Sequence, residues 1–134
     1  MSDSLFINRD RAKQLIEFKG VMEGSCSPTD IDGLIEYHNK AFIFIEVKGA
    51  GKDLPLGQSL ALERLCDSLN QVKPTLVIVA DHNTQNPNDD IPLKDTTVRK
   101  FRWQNKWRFT PEPTTVKEMV STFTYLVDNP QITD

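Results

Sequence analysis

Apolar and polar positions along this chain change rhythm several times, and each rhythm predicts an element. From Arg9 to Phe18, Ala12, Leu15, Ile16 and Lys19 fall at helical spacing, Asn8 is placed to cap the segment and Gly20 to end it, so a first helix is expected there. A loop or short strand through Ser25 to Pro28 leads to two apolar runs, Gly33 to Tyr37 and Ala41 to Lys48, joined by His38-Asn39-Lys40, which is a hairpin pattern. The second run is apolar on both faces until Glu46, as in a central strand covered on both sides. After the loop Gly49 to Pro55, the segment Gln58 to Leu69 carries Ala61, Leu62, Leu65 and Leu69 at helical spacing. Lys73-Pro74 then precedes the β-branched run Thr75 to Ala80, read as a buried strand reached by a helical crossover. Asp81 to Asp95 is rich in turn formers and reads as an exposed loop. Val98 to Trp103 and Lys106 to Phe109 alternate about a Gln104-Asn105 turn, and a last helix is expected from about Thr115 to Val127, started by Thr114 or Thr115 and barred by Pro130.

A length of 134 residues suits one domain with one sizeable core. The longest apolar run, Ala41 to Ile45, is far short of a membrane span, and the N-terminus shows no secretory pattern, so a cytoplasmic protein with no membrane partner is expected. Cys26 and Cys66 have no Cys or His beside them at metal-ligand spacing; reduced, buried thiols are expected rather than a zinc site or a disulfide framework. A net charge of −3 argues against general coating of nucleic acid, so any such contact must be a local patch.

The chemistry concentrates at Ile45-Glu46-Val47-Lys48. Strand periodicity puts Glu46 and Lys48 on one face and Val47 in the opposite core. Asp32 opens the preceding strand, and the hairpin can bring it back beside Glu46. Two adjacent carboxylates repel each other. A divalent cation relieves that repulsion, since magnesium takes one or two carboxylate oxygens and keeps waters for chemistry; the Val47 carbonyl could add an oxygen. Beside such an ion Lys48 would orient the nucleophile or stabilise developing charge, which is the chemistry of phosphodiester hydrolysis. Glu-x-Lys also occurs on many exposed strands as a solvated pair; here it ends a strongly apolar strand and is followed by a Gly-rich loop.

The order Pro28-Thr29-Asp30-Ile31-Asp32-Gly33, Phe44-Ile45-Glu46-Val47-Lys48 and Leu54-Pro55-Leu56-Gly57-Gln58 with Leu60-Ala61-Leu62 resembles the PD-(D/E)XK nuclease superfamily, particularly its small resolvase-like and phage-encoded members. The resemblance covers about Arg9 to Ala80. It implies an α/β fold with a restriction-endonuclease-like mixed central sheet flanked by helices, to which the C-terminal β-hairpin and helix are added. It also implies metal ligands at Asp32 and Glu46, Lys48 as the catalytic lysine, Gln58 as an accessory residue near the phosphate, and Mg or Mn as cofactor. The family's proline stands directly before the aspartate, whereas Pro28 here precedes Thr29-Asp30, so Asp30 competes with Asp32. Glu17 is the candidate for a further glutamate from the first helix, against a solvated helix position. Gln58 could equally satisfy backbone groups at a helix start. Glu36 reads as an edge charge, and His38 and His82 receive no role.

Around Gln104-Asn105, alternation places Phe101, Trp103, Trp107 and Phe109 on one face and Lys100, Arg102, Lys106 and Arg108 on the other. The basic face could meet DNA phosphates, or its charges could simply protect an edge hairpin from pairing. The function expected is therefore a metal-dependent deoxyribonuclease, an endonuclease with branched recombination or repair intermediates among its candidate substrates, and a homodimer if both strands are cut. The alternatives are a nuclease fold without activity that binds nucleic acid or a protein partner, and a non-catalytic subunit of a larger assembly.

Overall fold

The apolar run from Ala41 becomes an interior strand of a five-stranded mixed sheet. The structure is a computed structural model and describes residues 15–24 and 26–132. The chain divides into two compact units, Met1–Asp30 and Ile31–Asp134. In the first, the helix expected from Arg9 falls mostly outside the described residues. Its described end, 15–18, is not helical, and Leu15 and Ile16 are exposed.

The second unit is an α/β arrangement with strands in the order β1-β2-β3-β4-β5: β1 (Gly33–Tyr37), β2 (Ala41–Gly49), β3 (Thr75–His82), β4 (Thr97–Trp103) and β5 (Lys106–Arg108). Two helices accompany it, α1 (Leu56–Asn70) and α2 (Val116–Asp128). β1 and β2 form the expected hairpin, β2 and β3 are parallel across the α1 crossover, and β4 and β5 continue antiparallel. The loop expected from Asp81 begins two residues later, because β3 runs on to His82 through its pairing with Gly49.

Alternation in β2 and β3 assigns the two helices to opposite faces. Ile43, Ile45, Ile78 and Ala80 face α2 and pack with Val98, Val116 and Phe123. Phe44 and Val77 face the other way and pack with Leu62 and Cys66 of α1. Two covered faces explain why β2 reads as a continuous apolar run. α2 begins at Thr115, whose hydroxyl accepts the Glu118 N–H while the Glu118 carboxylate accepts the Thr115 N–H, a reciprocal cap. Both tight turns use left-handed central residues, His38 and Asn39 in one and Gln104 and Asn105 in the other, the conformation that matches hairpin twist. Glu36 supports the first turn by accepting the Asn39 N–H at 2.6 Å.

Candidate active site

The Gly33↔Ile45 register, continued by one residue, sets Asp32 opposite Glu46. Two contacts fix that juxtaposition: the Val47 N–H donates to Asp32 Oδ2 at 2.8 Å, and the Asp32 N–H points to Glu46 Oε1 at 3.4 Å. An antiparallel strand residue presents its N–H and its C=O to the same neighbour, so the Val47 carbonyl opens on the Asp32 side. Lys48 Nζ lies 3.4 Å from Glu46 Oε2. The hairpin thus brings Asp32, Glu46, Val47 and Lys48 together at one end of the sheet, with the Glu46 and Lys48 side chains on the α1 face.

Glu46 is the unusual member, because its position in the sheet leaves it only 2% exposed. Burial, and then the neighbouring Asp32 carboxylate, push its pKa above the ordinary glutamate value; Gln58, Lys48 and the Asp32 N–H pull it partly back. Gln58 comes from the first turn of α1, where Pro55 supplies no side-chain cap. It is nevertheless buried, and its side chain hydrogen-bonds the Glu46 carboxylate.

No family model, curated protein or solved structure matches the chain.

Asp30 is exposed and belongs to the first unit, and Glu17, also in that unit, is exposed in a segment without helix. Among the described residues no three or more His, Cys, Asp or Glu side chains converge as a metal-binding group, so the candidate centre rests on two carboxylates. His38 stacks on Tyr37, and His82 accepts the Thr84 N–H through Nδ1.

The basic and aromatic faces expected for the last hairpin are not those the register produces. A two-residue turn sets Trp103 opposite Lys106, Arg102 opposite Trp107 and Phe101 opposite Arg108, and opposed residues share a face. Counting alternation straight through the turn therefore exchanges the faces of β5. Phe101 and Trp103 pack towards α2 with Lys106 and Arg108 beside them, and the Arg108 Nε donates to the Trp103 carbonyl. Lys100, Arg102 and Trp107 lie on the α1 face, with Lys100 4.2 Å above the Trp107 ring. Arg102 is held by both oxygens of Asp67, and the Trp107 N–H by Glu63 at 2.6 Å. Phe109 is exposed. Of the four expected phosphate contacts, Lys100 and Arg102 share the face of Glu46 and Lys48; Lys106 and Arg108 do not.

A cleft of about 640 Å³ lies between the hairpin and α2 and includes Phe101, Trp103, Met119 and Phe123. No ionisable side chain lines it.

Sequence reading missed Asp81 and Arg99. Lys48 is paired in register with Asp81, whose carboxylate accepts from Arg99. The available signal was the break in alternation between Val98, which is core, and Lys100, which is not.

Proposed function

We propose that the chain is a divalent-metal-dependent nuclease of the PD-(D/E)XK type that hydrolyses phosphodiester bonds in DNA, built on a restriction-endonuclease-like form of the mixed sheet. The supporting observation is Glu46, a carboxylate at 2% exposure with a second carboxylate facing it and a lysine beside it, at the end of an otherwise apolar strand. Such a group is costly unless it is paired or coordinated. Its internal partners offset only part of that cost, because its pKa stays raised. The donor set suits a hard cation that binds through one or two carboxylates and retains water. Asp32, Glu46 and the Val47 carbonyl would hold a magnesium or manganese ion, which supplies a Lewis acid for the phosphate and an activated water near neutral pH.

The chain's own residues have distinct tasks in this reading. Lys48, half-buried beside Glu46, holds a proton at Nζ where charge develops on the attacking or phosphoryl oxygens. Gln58 fixes the Glu46 carboxylate, and the Val47 N–H fixes Asp32, so both acids are oriented before substrate arrives.

The test is incubation with labelled linear, single-stranded and four-way-junction DNA in magnesium or manganese, with EDTA, Glu46→Ala and Lys48→Ala as controls. Cleavage that stops with EDTA and falls at least about 100-fold in each variant is the expected result. Intact DNA with folded protein that still binds metal through Glu46 would replace the enzyme with a binding module.

A further inference from the structure

The irregularity between β3 and β4 sits beside the candidate site. Val79 pairs with Lys100 but Ala80 pairs with Val98, so Arg99 is an extra residue in β4. An extra residue of this kind bends the strand and re-aims a side chain. Here it lets Val98 face the α2 core while Lys100 remains opposite Val79, the residue paired with Glu46. Arg99 itself reaches Asp81, with Nε at 2.8 Å and Nη2 at 2.5 Å from the same oxygen, Oδ1. Asp81 in turn is the register partner of Lys48. Lys48, Asp81 and Arg99 therefore follow one another across three adjacent strands, at strand spacings of about 4.8 Å.

We infer that Arg99 is a phosphate-binding residue of this site, holding the DNA backbone one step away from the phosphate that Lys48 faces; the inference rests on the nuclease reading of the preceding section. A site built on two carboxylates repels a polyanion, and a chain of net charge −3 offers no general compensation. A local cation is needed at the sheet end. Arg99 supplies it with a planar fork suited to phosphate oxygens, 24% exposed and positioned by Asp81, which is itself 28% exposed. Its two bonds to Asp81 both go to one carboxylate oxygen, so the fork is anchored from one edge and retains donors for a ligand. Lys100, over the Trp107 ring, lies next along the same face.

The test is the binding of labelled duplex DNA by fluorescence anisotropy across a salt series, in a Glu46→Gln background that does not cut, comparing Arg99→Ala, Arg99→Lys and Asp81→Asn. Arg99→Ala should weaken binding about tenfold and lower the slope of log affinity against log salt by about one, the signature of one lost phosphate contact. Asp81→Asn keeps the cation and removes an anion, so it should bind at least as tightly as the parent, and Arg99→Lys should fall between. Equal losses in Arg99→Ala and Asp81→Asn would mean that the pair is only a structural brace and would overturn the inference, as would unchanged binding in Arg99→Ala. A parent that binds no DNA overturns both this inference and the nuclease reading. The expected Arg99 pattern without metal-dependent cleavage by the intact chain keeps the phosphate contact and discards the nuclease alone.

Discussion

Replacing Glu46 by glutamine separates what this side chain costs the fold from what it does for a ligand. The substitution is isosteric: the new amide can still accept from Asp32 N–H and Gln58, and it can donate to the Asp32 carboxylate it now faces. Glu46 is an acid whose pKa in the folded chain lies above its unfolded value, so the folded state retains the proton more strongly. Its favourable contribution is complete below the unfolded value and is lost as pH rises through the folded one. Without metal, Glu46→Gln should therefore melt above the natural chain at neutral pH, and the gap should close in acid. Metal should reverse the order. At a hundredfold excess over its dissociation constant, an ion bound only by the folded state adds about 2.7 kcal/mol. At about 4 °C per kcal/mol for a chain of this size, that raises the melting temperature by about 10 °C. The glutamine variant should gain little. Thermal melts by circular dichroism in EDTA, magnesium and manganese between acid and neutral pH read both effects. Equal metal shifts in the two proteins, or a glutamine variant less stable in EDTA at neutral pH, would refute the reasoning.

Three further outcomes follow from the packing. Leu62, 1% exposed between α1 and the sheet, should cost about 3 kcal/mol when cut to alanine, measured by urea unfolding; a loss under about 1 kcal/mol would mean that α1 does not seal this face. Thr115→Ala removes the hydroxyl of a reciprocal cap and should cost about 1 kcal/mol, about 4 °C in a thermal melt, with Thr115→Ser retaining most of it. Burial pushes the Cys66 thiol up to about 11, while Cys26 is exposed. Ellman's reagent at pH 8 should therefore titrate one thiol at once and the second only on unfolding, and two fast thiols would contradict the buried position of Cys66.

Local rhythm made much of this architecture legible. The β1–β2 hairpin, the doubly covered interior position of β2, the α1 crossover and the start of α2 each follow from a pattern contained within one segment. Cys66 is buried as expected, whereas Cys26, an isolated thiol between polar residues, is exposed. What failed depended on relations between segments. The two faces of the last hairpin were misread because alternation was counted through the Gln104-Asn105 turn, although a two-residue turn exchanges odd and even positions between its strands. The end of β3 was misread because Asp81 and His82 have turn-forming neighbours, and it is pairing with Lys48 and Gly49 on one side and, for Asp81, Thr97 on the other that keeps them in the sheet. The identity of Gln58's partner was likewise invisible, since nothing within the helix start distinguishes an amide that bonds its own backbone from one that reaches β2.

The misread positions and the proposed chemistry share a cause. A strand that buries both faces has little room for charge, so charged side chains collect where the sheet stops being covered. In β2 this happens at Glu46 and Lys48, and in β3 at Asp81, the register partner of Lys48. Local propensity is weakest at such ends, because the residues are polar and held by pairing alone. They are also where one carboxylate can be buried within reach of another, and where an extra β4 residue can swing an arginine across without disturbing the core. If Arg99 behaves as inferred, the break in alternation after Val98 marks the substrate side of the sheet, and the substitution that tests it should change DNA affinity while leaving the Leu62 face of the core intact.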